Sequence, residues 1–196
     1  MKDQLTKSIL DSFEHCLKLV TGICESEIEK IFLLKIIDHV QKRADRYGLS
    51  FIITEALTGF VNGDEVITSS VNYQMEGDFG YICGIRINNF INQTNIEIFP
   101  QKKVEFMNPE NIMHNIRYRL DFGIYKYNFN ETENKIKKYC VECDGYDFHS
   151  TKDQIKRDNE RMRNLLLQNG FITLRYLGTE IHNWDDVGIG NFIWNL

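Results

Sequence analysis

The strongest constraint on the fold comes from two segments, residues 117–125 and 136–144, in which apolar and polar side chains alternate. A period of two places successive side chains on opposite faces of a β-strand. In the first segment Tyr118, Leu120, Phe122 and Ile124 are predicted to share one face, which leaves Asp121 on the other. The sequence therefore predicts an anchored strand that presents a carboxylate.

The second segment is predicted to present two more carboxylates, since Glu142 and Asp144 leave a strand on the same side. If the two strands pair antiparallel, Asp121, Glu142 and Asp144 converge, and three close carboxylates repel strongly. Mg²⁺ is the natural occupant, because proteins hold it with one or two carboxylates, waters and substrate phosphate. The spacing thus predicts a metal that activates water toward a phosphodiester.

Further motifs follow in a fixed order: Asp121, Glu142-Cys-Asp144-Gly, His149, Asp158-x-x-Arg161 and Gly170-Phe-x-x-x-Arg175. This ordered set resembles the PD-(D/E)XK nuclease superfamily, and most closely its branch related to very-short-patch-repair (Vsr-like) endonucleases. The resemblance covers roughly residues 26–47 and 99–182. It implies an α/β, restriction-endonuclease-like core: a central mixed sheet of four to five strands flanked by helices in the order αβββαβ.

The resemblance also implies roles for individual residues. Asp121 and Glu142 are expected to hold Mg²⁺ or Mn²⁺, with the backbone carbonyl of Cys143 as a candidate third ligand. The family has a lysine two residues after the glutamate, whereas this chain has Asp144. Three replacements stay open: Asp144 binds a second metal, Lys156 reaches in from the next helix, or His149 positions the water or protonates the leaving group.

Four further residues match supporting positions of the family, and each has a structural alternative. Glu29 either faces the metal or closes a capping box with the serine three residues before it. Gln101 either faces the site or is an ordinary polar strand residue. Asp158 and Arg161 either orient catalytic groups and phosphate or form an intrahelical ion pair.

The formal net charge of −5 argues against a protein that coats nucleic acid without specificity. A nuclease needs only a local basic patch, for which the candidates are Arg119, Lys138, Lys152 and Arg157. The alternative is that these side chains are solvated surface. DNA is the predicted partner, RNA shares the same chemistry, and a homodimer or larger complex stays open.

Length and composition predict one domain over residues 1–196. Within it we expect an N-terminal helix at 1–22, the core at 23–48 and 99–182, an antiparallel β insertion or decoration at 49–98, and a tail at 183–196. Five cysteines, an odd number, indicate reduced thiols, and the strand positions of Cys140 and Cys143 point them to opposite faces, away from a shared zinc ion. The lack of a long apolar run predicts a cytoplasmic protein outside the membrane.

Two functions follow from these features. The first is a metal-dependent phosphodiesterase, a DNA endonuclease whose water is held near Asp121 and Glu142. The second is a catalytically inactive nucleic-acid-binding or assembly protein that retains the nuclease fold, which the missing lysine favours.

Overall fold

A computed structural model describes residues 2–55, 81–108, 111–128, 136–144 and 151–196, which form an α/β structure. Its strands are β1 (Tyr47–Glu55), β2 (Tyr81–Asn89), β3 (Thr94–Asn108), β4 (Asn111–Asn128), β5 (Lys137–Asp144) and β6 (Phe171–Leu177). Its helices are α1 (Lys2–Gly22), α2 (Glu27–Lys42), α3 (Lys152–Asn169), α4 (Gly178–Asn183) and α5 (Asp186–Asn195). Within these ranges no helix has the length and apolar content that a membrane crossing requires.

All six strands belong to one mixed sheet in the order β1-β2-β3-β4-β5-β6. Neighbouring strands are antiparallel as far as β5, and β5 and β6 are parallel. A parallel pair needs a crossover connection, and α3 lies in that connection. The sheet has six strands instead of the predicted four to five, because β1 and β2, expected as an insertion, pair onto β3 and extend the central sheet.

α2 begins at its predicted position and ends earlier than predicted. Ser26 is the N-cap, and its side chain accepts a hydrogen bond from the backbone N–H of Glu29. The apolar residues that follow Ser26 at helical spacing predict a helix to about Tyr47, but α2 ends at Lys42. Tyr47 is instead the first residue of β1 and pairs with Asn89 of β2. Strand pairing, which the local sequence does not show, therefore sets the end of the helix.

The segment 183–196, predicted as a tail, is part of the core. Phe192 of α5 and Trp184 lie against Phe32 of α2, with ring centroids 5.4 and 5.8 Å from that ring. Aromatic pairs of this kind contribute about 0.5–1.5 kcal/mol beyond the area they bury. The Tyr139 hydroxyl also donates a hydrogen bond to the carbonyl of Leu196, which ties the end of the chain to β5.

Each face of the sheet carries its own apolar cluster. The α2-side cluster joins α1, α2, α4 and α5 to sheet residues that include Val141 and Cys143. The α3-side cluster joins Leu165 of α3 to sheet residues that include Cys140. The two thiols of the Cys-x-x-Cys motif therefore lie on opposite faces of the sheet, as predicted.

Candidate functional site

β4 changes face at Asp121. Tyr118 and Leu120 pack with the α3-side cluster, whereas Phe122 and Ile124 belong to the α2-side cluster. The prediction that these four side chains share one face is therefore wrong, since the strict alternation of the strand is interrupted where the candidate carboxylate stands.

The interruption comes from the ladder between β3 and β4. The ladder pairs the residues on both sides of Gln101 and Asp121 but omits these two. Gln101 has a φ of 52°, in the left-handed region that favours glycine. A non-glycine residue there costs about 1–3 kcal/mol, and such outliers cluster at functional sites. The irregularity therefore places a strained backbone directly beside Asp121.

The ladder between β4 and β5 ends at the Phe122↔Val141 pair, and Asp121 lies just beyond that end. There the backbone N–H of Cys143 donates a 2.7 Å hydrogen bond to Oδ2 of Asp121. The two strands thus form a fork, in which a side-chain carboxylate from one strand contacts the backbone of the other. This contact fixes Asp121 next to the Glu142–Asp144 segment.

Asp121 and Glu142 are close enough to repel each other. Burial raises the pKa of Asp121 from its ordinary 3.8 to about 6, and the charge of Glu142 is the next largest cause. The hydrogen bond from Cys143 and the charge of Arg161 lower that pKa by less. The fork therefore concentrates negative charge, which was the central expectation from the strand pattern.

Glu142 is neutralised by a residue of α3. Nη2 and Nη1 of Arg161 donate to the two carboxylate oxygens of Glu142 at 2.8 and 3.2 Å. Nη2 of Arg161 also donates to the carbonyl of Arg119 in β4 at 2.8 Å, and the Cys140 thiol donates to Glu142 at 2.9 Å. The side chain of Glu142 is only 13% exposed, so a charge-assisted pair is needed to offset its loss of solvent.

Asp144 belongs to a second network, built around Arg175 of β6. Nε and Nη2 of Arg175 donate to the two oxygens of Asp144, both at 2.9 Å, and Nη1 donates to Asp158 at 3.1 Å. Arg175 is also the register partner of Glu142 in the parallel β5/β6 pair. Asp158 and Arg161 were predicted to act together, but the structure assigns them to separate networks across the site.

Glu29 both caps α2 and reaches toward the fork. Its carboxylate accepts hydrogen bonds from the N–H of Glu25 at 3.0 Å and the hydroxyl of Ser26 at 2.8 Å. It also accepts a 2.7 Å hydrogen bond from Nε2 of Gln101, and its charge contributes to the raised pKa of Asp121. The buried side chain of Glu29 therefore contacts both the start of α2 and Gln101, the residue beside Asp121.

A narrow cleft lies between α3 and the sheet beside these networks. It is lined by Glu142, Asp158, Arg161, Met162, Leu165, Thr173 and Arg175. The Thr173 hydroxyl is buried and has no hydrogen-bond partner among the residues that the structure describes. The cleft therefore combines both arginines with an unsatisfied polar atom over an apolar floor.

The predicted basic residues are spread over different surroundings. Arg119 forms a bidentate pair with Glu25, at 2.5 and 2.6 Å. Lys138 lies over the ring of Phe171, 5.9 Å from its centroid. Lys152, Lys156 and Arg157 are exposed on α3. These three are solvent-exposed cations, and Lys156 is not a partner of Asp121, Glu142 or Asp144 in the described residues.

Of the three carboxylates predicted to converge, Asp121 and Glu142 interact electrostatically at the fork. Among the described residues there is no group of three or more His, Cys, Asp or Glu side chains arranged to hold a metal ion. Asp121 and Glu142 by themselves fit Mg²⁺, which takes one or two protein carboxylates and keeps several waters. Asp144 is engaged by Arg175 instead, and His149 lies outside the described residues.

Sequence reasoning assigned no role in the site to Arg175 or Cys140. Arg175 was noted only as the end of a motif, yet it is the centre of the second network. A signal was present, because a helix followed by a short apolar strand predicts a parallel neighbour of β5. For Cys140, the spacing of two from Glu142 already places both side chains on one face of the strand.

The fold and site together define an α/β structure with a fork of coupled carboxylates that α3 and β6 balance with arginines. Comparison of the chain with protein-family models, curated proteins and solved structures gave no match.

Proposed function

We propose that the protein is a metal-dependent phosphodiesterase of the PD-(D/E)XK type, acting as a DNA endonuclease. The observation that carries the proposal is the electrostatic repulsion between Asp121 and Glu142, which come from adjacent strands, together with the hydrogen bond that fixes Asp121 to the backbone of Cys143, next to Glu142. Holding two like charges together is unfavourable unless a cation joins them. With β1 and β2, which come between α2 and β3, set aside, the elements α2, β3, β4, β5, α3 and β6 have the αβββαβ order that the resemblance implies, and this order supports a restriction-endonuclease-like core.

Asp121, Glu142 and the backbone carbonyl of Cys143 are the residues proposed to hold Mg²⁺ or Mn²⁺. A bound divalent ion supplies a water of lowered pKa and neutralises charge that develops on phosphate oxygens. Cys143 holds Asp121 in place through its N–H. Gln101 and Glu29 support the same region from β3 and α2.

Arg161 is proposed to act as the internal counter-ion of Glu142. In the structure its guanidinium binds both oxygens of that carboxylate. With a cation held by Asp121 and Glu142, the guanidinium of Arg161 would be able to contact a phosphate oxygen of the substrate. The exposed Lys152, Lys156 and Arg157 on α3 are proposed to contact the flanking DNA backbone.

Cleavage of single-stranded, nicked and duplex DNA with Mg²⁺ or Mn²⁺ tests the proposal. Asp121→Asn and Glu142→Gln are expected to abolish cutting, and the matched control Glu160→Gln, on the exposed surface of α3, is expected to cut like the parent. Cutting of RNA of the same sequence is measured in parallel and shows whether the substrate is DNA or RNA. If the parent cuts none of these substrates with either metal, the proposal is overturned.

A second candidate is a non-catalytic nucleic-acid-binding or assembly protein that retains this fold. It is favoured by the two bidentate arginine pairs, because carboxylates already neutralised by Arg161 and Arg175 form a stable network without a metal. Tight DNA binding by the parent with no cutting in either metal, and no effect of Asp121→Asn on that binding, supports this candidate.

A further inference from the structure

Residue 144 is the position at which the resembling nuclease motif has a lysine. In this chain it is Asp144, and Arg175 binds it. Arg175 and Glu142 are register partners in the parallel β5/β6 pair, which places their side chains next to each other on one face of the sheet. The guanidinium of Arg175 is then bound by Asp144, two residues along the same strand. A cation bound to Asp144 therefore lies on the strand next to the Glu142–Asp144 segment.

The guanidinium of Arg175 is held in a fixed orientation. Asp144 binds it through two parallel hydrogen bonds of 2.9 Å, and Asp158 of α3 adds a third of 3.1 Å. Bidentate pairs of this kind define both distance and plane. These contacts also raise the pKa of Arg175, with the hydrogen bond to Asp144 as the largest cause, so the group stays charged across the working pH range.

Arg175 faces the same cleft as the proposed metal-binding carboxylate. The cleft is lined by Glu142, Arg161 and Arg175, together with the buried hydroxyl of Thr173. The donors at this narrow cleft are two guanidinium groups and the Thr173 hydroxyl, and these are the groups that a phosphate at its mouth would contact. Arginine suits this task, because its planar fork of donors matches phosphate oxygens.

We propose that Arg175 replaces the lysine of the nuclease motif by contacting the phosphate of the substrate, and that Asp144 is its positioning residue and not a metal ligand. The inference rests on the proposed function, because it names the group that binds the reacting phosphate at that same site. The competing explanation is that Asp144, Arg175 and Asp158 only fasten β6 and α3 to β5.

Binding of a nucleotide phosphate separates the two explanations without any turnover. The probe is deoxythymidine 3′,5′-bisphosphate, titrated by calorimetry into the full chain with Ca²⁺, a hard cation of looser coordination than Mg²⁺. Arg175→Gln is expected to weaken this binding at least tenfold, Arg175→Lys to weaken it less, and the exposed control Arg163→Gln to leave it unchanged. Thr173→Val, which keeps the shape and removes the hydroxyl, is expected to weaken it two- to tenfold.

Asp144→Asn distinguishes a positioning residue from a metal ligand. It is expected to keep the Mn²⁺ affinity of the parent, measured by electron paramagnetic resonance, and to weaken bisphosphate binding. In the cleavage assay Arg175→Gln is expected to lower kcat by about 10²–10³, the loss typical of one removed transition-state donor, with KM changed less.

Several results overturn the inference. The first is that the Arg175→Gln protein binds the bisphosphate as tightly as the parent. The second is that the Asp144→Asn protein no longer binds Mn²⁺ but still binds the bisphosphate. A parent that binds no bisphosphate in Ca²⁺ has the same consequence. If Arg175→Gln does not fold, Arg175→Lys and Asp144→Asn decide. Failure of the parent to cut nucleic acid overturns the proposed function alone, because the binding results still decide the role of Arg175.

Discussion

Replacing Asp121 by asparagine is expected to stabilise the fold at neutral pH while it removes function. Burial and Glu142 raise the pKa of Asp121 from 3.8 to about 6, so the ionised carboxylate is less favourable in the folded chain than in the unfolded one. The full difference corresponds to about 3 kcal/mol. Because Asp121 is only partly buried, solvent screening reduces the expected gain to roughly 1–2 kcal/mol.

The pH dependence of that gain has a definite sign. Between about pH 4 and 6 the folded chain binds the proton of Asp121 and the unfolded chain releases it, so this group makes the parent less stable as the pH rises. Above pH 6 the penalty is complete, and below about pH 4 both states are protonated and it vanishes. The advantage of Asp121→Asn is therefore expected at pH 7.5 and absent near pH 4.

Urea unfolding of both proteins in EDTA at pH 4, 5, 6 and 7.5 measures this difference. Asparagine keeps an oxygen that can accept the hydrogen bond from the N–H of Cys143, so the comparison isolates the charge. Glu160→Gln, an exposed carboxylate of α3, is the control and is expected to show no such trend. An Asp121→Asn protein that is less stable than the parent at pH 7.5, or a difference that is constant with pH, refutes the reasoning.

Three more predictions concern charge and packing. Arg161→Met leaves Glu142 without its bidentate partner, so urea unfolding at pH 7.5 is expected to show a loss of about 2–4 kcal/mol, and an unchanged midpoint contradicts this. Burial lowers the pKa of His39 below 6.5, so the parent is expected to lose stability as the pH falls through that value, and His39→Gln to show a weaker loss; identical pH profiles contradict it. Gly84→Ala brings a Cβ within 2.6 Å of the carbonyl of Ile98 and is expected to lower the melting temperature by several degrees, whereas Gly22→Ala meets nothing within 4 Å and is expected to preserve or raise it.

The elements of the fold could be predicted largely from local pattern. The start of α2 follows from the cap at Ser26, and the opposite faces of Cys140 and Cys143 follow from the period of a strand. The place of β1 and β2 in the central sheet could not be predicted, because it depends on pairing between segments that no local pattern joins. The predicted end of α2, at about Tyr47, was wrong for the same reason, because Tyr47 pairs with Asn89 as part of β1.

The site could be predicted in part. Two paired strands with acidic residues predict that Asp121 and Glu142 lie near each other, and in the structure the charge of Glu142 raises the pKa of Asp121. The change of face at Asp121 could not be foreseen, because a glutamine at a φ of 52° gives no signal in the sequence. Arg161 was expected near the site, but its pairing with Glu142 and that of Arg175 with Asp144 could not be predicted, since the partners are 19 and 31 residues apart.

The central claim is that Asp121 and Glu142 share one divalent cation, and direct Mn²⁺ binding tests it best. Calorimetric titration of the full chain is expected to give one Mn²⁺ per chain, lost in Asp121→Ala and in Glu142→Ala and retained in Asp144→Asn. A parent that binds no Mn²⁺, or binding that survives both alanine substitutions, contradicts the account.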